Sequence, residues 1–203
     1  TQFISEVKSS AAKTRLIPFE FSTTQTYVLE FGNTYIRFYK DKGQIVSGGS
    51  AYEISSPYLT AELFDIKFAQ SADVMYITHP NHEVMKLSRT GHTAWTLAAI
   101  DFTDGPYLAQ NQTATTMAAS GTSGSVTITA STSTFVATDV GRLITFNSGR
   151  AKITGYTSAT QVAATTQVNF SGTGAVTDWK LGAFSDTTGH PSCVSFFEQR
   201  LVF

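Results

Sequence analysis

Apolar and polar residues alternate along much of the first half of this chain, as they do in half-buried β-strands. In residues 26–31 every second position carries a large apolar side chain, and Gly32-Asn33 then signals a tight turn. Residues 34–39 alternate again, and a second turn signal follows at 40–43. This stretch therefore predicts a β-meander.

The same pattern predicts more strands, at residues 16–21, 73–78, 86–89 and 95–98. One short helix is predicted at 60–66, where Thr60 follows Pro57 and is placed to cap the first turn. We expect one buried sheet face and its neighbouring layer to be built from Leu16, Ile17, Phe19, Phe21, Tyr27, Leu29 and Phe31.

The composition changes after Tyr107, and from about residue 110 to 174 the chain is rich in Thr, Ser, Ala and Gly. A flexible linker is one interpretation of this bias. However, short alternating runs recur between Gly-containing turns, and they supply apolar residues that a linker lacks. We therefore predict an all-β protein in which a small β-barrel, residues 108–182, is inserted into a larger β-sheet portion, residues 1–107 plus 183–203.

Charge and composition exclude some classes of function. Only 14% of the residues are charged and the formal net charge is −1, so no basic field favours tight nucleic-acid binding. The apolar runs are too short to span a bilayer, so no membrane association is expected. Cys193 is the single cysteine, which rules out an internal disulfide, and its apolar neighbours predict a buried side chain.

Four long stretches, residues 14–21, 27–39, 63–80 and 196–203, carry a resemblance to a known family. They resemble the tail nozzle, or tail tubular, proteins of short-tailed phages and prophages. This resemblance implies that the β-sheet portion, residues 1–107 plus 183–203, is propeller-like. Residues 138–144 and 151–162 are similar to the small β-barrel named after the first catalytic-cysteine half-domain of ubiquitin-activating enzymes. That similarity concerns the fold and implies no chemistry.

The resemblance implies a structural virion component that conducts DNA during ejection. Family members form a ring, expected to be a hexamer, below the portal and adaptor and next to tail fibre proteins, and double-stranded DNA passes through it without specific binding. The protein would assemble in the host cytoplasm and reside in the phage tail. Both ends of the chain are abrupt, so we expect a fragment of a longer protein, monomeric or strand-exchanged on its own.

The sequence offers no convincing metal or cofactor site, and we expect none. His79 and His82 are three residues apart, but Pro80 prevents the helix that would align them, and the nearest acidic residue is Glu83. Exposed turn positions are therefore expected for these histidines. Loop positions are expected for His92 and His190 as well.

Catalysis is not expected either. The Ser-containing stretch 121–125 lacks the strand and sharp turn that a catalytic serine needs. A glycosidase-like carboxylate pair would have to come from distant positions, with Glu62, Asp65, Asp101 and Asp104 as the candidates. No phosphate-binding loop occurs.

The isolated basic and Trp residues have ordinary structural interpretations. Solvated strand faces or turns are expected for Arg37, Lys86, Arg89, Arg142 and Arg150. Core positions are expected for Trp95 and Trp179.

Two other functions remain open beside the structural one. The first is a receptor- or carbohydrate-binding tail module, which would need an exposed aromatic patch with converging polar groups. The second is a polysaccharide depolymerase, which would need two carboxylates in a groove.

Overall fold

A computed structural model describes residues 3–22 and 25–203, and this part of the chain is nearly all β. The all-β prediction is confirmed. Within the described residues the helical element is one 3₁₀ turn, η1 (Ala137–Asp139). The chain divides into two compact units, which we call unit 1 (Thr1–Ile100 and Pro191–Phe203) and unit 2 (Asp101–His190).

The change in composition predicts an inserted module over residues 108–182. Unit 2 extends further at both ends, from Asp101 to His190. Contacts within the unit explain the first boundary. Asp101 pairs with Lys152, and the backbone N–H of Leu108 donates to the carbonyl of Leu181. These contacts attach the leading segment to the inserted unit, although that segment lacks the Thr/Ser-rich composition.

Unit 1 contains two antiparallel sheets that follow one another along the chain. The first has the order β1-β2-β3-β4 with β7 also paired to β3, and the second has the order β11-β10-β9-β8. Two two-stranded pairs, β5 with β6 and β18 with β19, complete the unit. The strands are β1 (Arg15–Ser22), β2 (Gln25–Gly32), β3 (Tyr35–Lys40), β4 (Gly43–Gln44), β5 (Val46–Ser47), β6 (Ser50–Ala51), β7 (Glu53–Ser55), β8 (Lys67–Ser71), β9 (Val74–His79), β10 (His82–Gly91), β11 (Ala94–Ala99), β18 (Ser195–Phe197) and β19 (Arg200–Val202).

The core of unit 1 follows the predicted alternation. The apolar side chains on one face of β1 and β2 pack with apolar side chains of β3, β9 and β10 in one cluster. Phe21, a predicted core residue on this face, is only partly buried. Trp95 stacks on Phe38 at 4.4 Å between ring centroids and meets Phe19 edge-on. The predicted core positions Ile17, Phe19, Tyr27, Leu29 and Phe31 are confirmed.

Three local predictions in unit 1 are wrong. Leu16 is 60% exposed, because it lies on the face of β1 opposite to Ile17 and Phe19. Residues 60–65 form consecutive turns, and no α-helix is present over 60–66. Cys193 is exposed, because it precedes β18 outside the sheets.

Unit 2 is built on one six-stranded antiparallel sheet with the order β12-β13-β16-β15-β14-β17. This sheet curls into a half-barrel, and an isolated bridge links Met117 on β12 to Val176, just before β17. The Thr/Ser-rich segment thus forms a folded module and not a flexible linker. The strands are β12 (Met117–Ala119), β13 (Ser125–Ala130), β14 (Leu143–Phe146), β15 (Gly149–Ser158), β16 (Gln161–Val168) and β17 (Lys180–Leu181).

The core of unit 2 uses smaller side chains than that of unit 1. Ile128, Ile144 and Ile153 are buried in its centre, and Phe146 stacks on Phe170 at 4.3 Å. Trp179 packs against this cluster while half-buried, and its indole N–H donates to the carbonyl of Thr115. Within residues 3–22 and 25–203, no helix has the length and hydropathy that crossing a membrane would require.

Candidate functional site

A pair of histidines stands at the turn between β9 and β10 in unit 1. His79 ends β9, His82 begins β10, and the two are register partners across the intervening Pro80-Asn81 turn. Their ring centroids lie 5.1 Å apart. A tight hairpin therefore brings the two histidines together, although Pro80 prevents a helix here.

Glu62 joins these histidines from the turn segment that follows Tyr58. Its Oε2 lies 2.8 Å from Nε2 of His82 and accepts a hydrogen bond from the backbone N–H of Leu59. Burial raises the pKa of Glu62, but the hydrogen bonds from Leu59, His82 and Asn81 outweigh it and lower the pKa to about 2. The carboxylate is thus ionised at neutral pH and oriented by the backbone.

His79 is held differently from His82. It is only 1% exposed, and its Nδ1 accepts a hydrogen bond from the backbone N–H of Asn81 at 3.1 Å. Burial lowers the pKa of His79, so the neutral ring is favoured. Since Nδ1 is an acceptor, the ring proton belongs on Nε2, and Nε2 is buried without a protein partner.

Tyr58 covers one side of this group. Its ring meets that of His82 edge-on at 5.2 Å between centroids and lies 6.1 Å from that of His79. The Tyr58 hydroxyl is also buried without a protein partner. Burial raises the pKa of Tyr58, and the charge of Glu62 adds to that effect. Two unpaired polar atoms therefore lie close to an ionised carboxylate.

We call Glu62, His79 and His82 the His-Glu cluster; one ligand atom from each lies within 4.8 Å of the others. The expectation of exposed turn histidines is wrong for His79, and Glu62 supplies the acidic partner that was sought at Glu83. Glu62 was considered only as a member of a glycosidase pair. The sequence signal was a His-x-x-His pair flanking Pro-Asn, which is also a hairpin turn signal.

The other predicted site residues lie in ordinary surroundings. His92 occupies the turn between β10 and β11 and contacts the Tyr27 hydroxyl, while His190 pairs with Asp186. Asp101 and Asp104 form ion pairs with basic residues of β15, and the Ser-containing stretch 121–125 leads into β13, which begins at Ser125. Glu62 and Asp65 belong to unit 1, whereas Asp101 and Asp104 belong to unit 2.

Two basic residues are less exposed than expected. Arg142 is 4% exposed and pairs with the buried Asp139 at 2.7 Å. The Arg89 side chain is 9% exposed, pairs with Asp73 and lies over the Phe21 ring at 3.9 Å. Each fixes a local structure, so the expectation of solvated faces is wrong for both.

A second polar group lies on the outer face of the first sheet, around Glu30. Glu30 is fully buried and accepts hydrogen bonds from the Tyr35 hydroxyl at 2.6 Å and the Tyr39 hydroxyl at 2.5 Å. Gly32 permits this arrangement, because a Cβ there would lie 2.1 Å from the Tyr35 ring. Burial and the Glu30 carboxylate raise the pKa of Tyr39 to about 12 and that of Tyr35 further.

The raised pKa values of Tyr35 and Tyr39 predict that the fold loses stability at alkaline pH. In the unfolded chain tyrosine ionises near pH 10, whereas Tyr35 and Tyr39 stay protonated to higher pH in the fold. The stabilisation is therefore complete below about pH 10 and is lost as the pH rises toward about 12. Urea unfolding between about pH 9 and 11 should show a steeper decline for the native chain than for Y35F/Y39F.

Tyr156→Phe is the matched control, because Tyr156 is an exposed tyrosine of unit 2. Its pH dependence should equal that of the native chain. If the unfolding free energy of all three proteins declined equally steeply with pH, Glu30 would not hold the two phenols in their protonated form.

No family model and no curated protein matches the chain.

Proposed function

We propose that this chain is a non-enzymatic structural component of a phage tail, part of a nozzle subunit that conducts DNA during ejection. The observation that carries the proposal is where the family-like stretches fall. Residues 14–21 and 27–39 cover most of β1 to β3, residues 63–80 include β8 and β9, and residues 196–203 cover most of β18 and all of β19. The resemblance thus coincides with the framework of unit 1.

The inserted unit supports the same proposal. Residues 138–144 and 151–162, which resemble the small β-barrel, cover most of η1 and β15, the first half of β14 and the start of β16 in unit 2. They include the buried pair of Asp139 and Arg142. These contacts give that motif a structural role, in keeping with an insertion that carries no chemistry of its own.

Charge and surface composition also suit a structural subunit. The near-neutral charge of −1 provides little attraction for DNA phosphates, which suits a wall past which DNA must slide. Unit 1 exposes large apolar side chains, among them Phe3 at 81%, Leu16 at 60% and Phe197 at 66%. In the proposed ring these side chains would pack against neighbouring subunits and so be removed from water.

A receptor- or carbohydrate-binding module is less well supported. That function would require aromatic rings displayed together on unit 2. Among the described residues of unit 2, the large apolar side chains that are exposed are Leu108, Val136, Val140, Tyr156 and Val168, and one of these five is aromatic.

Light scattering on the protein that contains this chain, alone and mixed with its portal and adaptor, tests the proposal. We expect the mass of a closed ring, because contacts that close around an axis are the physical route to a channel. A protein that stays monomeric in the mixture would remove the nozzle function. A ring mass for the 203-residue chain alone would show that this portion is sufficient for closure.

A matched pair of variants tests the contribution of the β18–β19 hairpin. Phe197→Ser removes an exposed ring, and Glu198→Ser changes the next residue of the same hairpin. We expect only Phe197→Ser to reduce the ring fraction, and both variants to keep unfolding free energies within about 0.5 kcal/mol of the native value. Equal ring fractions would exclude this hairpin from the subunit contact.

A further inference from the structure

The His-Glu cluster combines the side chains that zinc prefers. Imidazole nitrogen and carboxylate oxygen are zinc ligands, and two histidines with one glutamate form a known three-ligand set that leaves a fourth position open. Here one ligand atom each from Glu62, His79 and His82 lies within 4.8 Å of the others. We propose that these three side chains bind one divalent transition-metal ion of the zinc class in unit 1, independently of the tail function proposed above.

The buried and unpartnered ring nitrogen of His79 is the second observation behind this proposal. Nε2 has no hydrogen-bond partner although His79 is 1% exposed. A buried polar atom without a partner is costly, and a bound ion is one of the ordinary reasons for finding one. A metal ion at the cluster gives this imidazole a partner that the protein does not provide.

Charge and access fit a cation with one open coordination position. Glu62 contributes a negative charge, and a dication compensates it more strongly than His82 does. The side chains of Glu62 and His82 are 16% and 21% exposed, whereas His79 is buried. The ion is thus approached from the side of Glu62 and His82, where water supplies a fourth ligand.

Glu62 is also oriented in advance, as metal-binding carboxylates usually are. Leu59 donates its backbone N–H to Oε2, and the side-chain amide of Asn81 lies 3.4 Å from Oε1. Outer contacts of this kind fix the direction of a ligand and raise metal affinity.

Binding requires a small rearrangement with a specific consequence. Ligand atoms of tetrahedral zinc, with bonds of about 2.0–2.1 Å, lie about 3.4 Å apart. The separations in the cluster, all within 4.8 Å, would adjust to that value, and the 2.8 Å hydrogen bond between Nε2 of His82 and Oε2 of Glu62 would open. Coordination through Nδ1 of His79 displaces the Asn81 N–H, and coordination through Nε2 moves the ring proton onto Nδ1. Either route ends the hydrogen bond from Asn81 to His79.

The experiment titrates zinc into metal-free chain and repeats the titration with cobalt as a spectroscopic probe. All proteins carry Cys193→Ser, because the exposed thiol would itself bind zinc. His79→Gln, His82→Gln and Glu62→Gln remove one ligand each. His92→Gln is the matched control, because His92 lies in the next hairpin turn of the same unit and outside the cluster.

We expect one zinc ion per chain, four-coordinate cobalt absorption bands, and a change in the Asn81 amide NMR signal on binding. Each ligand variant should weaken zinc binding by more than about 100-fold, the upper range for loss of an outer contact, and His92→Gln should bind as the parent does. His82→Gln carries the test if His79→Gln fails to fold, since His82 is partly exposed. Less than one ion per chain, or equal affinity in His82→Gln and His92→Gln, overturns the proposal.

Discussion

Replacing Phe31 with alanine is expected to lower the free energy of unfolding of unit 1 by about 3–5 kcal/mol. Phe31 lies on the inner face of β2 with no exposed surface, and its ring packs near that of Tyr58 at 6.4 Å between centroids. Truncation removes the transfer free energy of the ring and leaves a cavity among fully buried side chains, which can collapse only in part.

The measurement is urea unfolding followed by the fluorescence of Trp95, in a chain that carries Trp179→Phe so that Trp95 is the one remaining tryptophan. Thr132→Ala is the control, because Thr132 is an exposed residue between β13 and η1 and makes a hydroxyl contact only with Thr115. Its effect should stay within about 0.5 kcal/mol. Similar losses for the two variants would place the core elsewhere.

The strands of unit 1 were predictable because each carries its own alternation. Ile17 and Phe19 are buried and Leu16 is exposed, as period two requires for a strand with one buried face. The sequence could not show which apolar residues would lie outside the core, since Leu16 is as apolar as Ile17. The choice depends on which face of β1 meets the second layer, and that is a tertiary contact.

The segment around Glu62 could not be predicted because long-range contacts determine it. The backbone N–H of Thr60 donates to the side chain of Asn33, 27 residues away, and Glu62 turns toward His82. A local capping pattern predicted a helix there, and consecutive turns formed instead. The His-Glu cluster depends on this segment, so it was missed although its two histidines were noticed.

The pairing of Asp139 with Arg142 has a signal in the sequence. The two residues are three positions apart on either side of a turn Gly, a spacing that lets an acid and a base meet in a helical turn. Arg142 was assigned to a solvated face because its neighbours in sequence are polar. Its burial arises from packing beneath the segment that carries Gly182, to whose carbonyl Arg142 donates at 2.7 Å.

Replacing Arg142 with methionine should therefore destabilise unit 2 by about 3–5 kcal/mol, the usual effect of removing one partner from a buried ion pair. Methionine keeps much of the side-chain volume of arginine, so the loss of stability reports the effect of leaving the Asp139 carboxylate without its partner. Asp139 is 1% exposed, and it would retain hydrogen bonds from Val136 and Thr187 without a cation beside it. Hydrogen exchange of the amides in β14 and β15, measured by mass spectrometry, would show faster opening.

Lys152→Met is the matched control, because Lys152 is also paired with an aspartate in unit 2, but its partner Asp101 is 62% exposed. Its effect should stay below about 1 kcal/mol, since exposed pairs contribute little. A third variant, Asp139→Leu with Arg142→Met, removes both charges and should be more stable than Arg142→Met alone. If Arg142→Met opens no faster than Lys152→Met, the ion pair does not hold the loop before β14, and the hydrogen bonds from Val136 and Thr187 to Asp139 are sufficient to fix it.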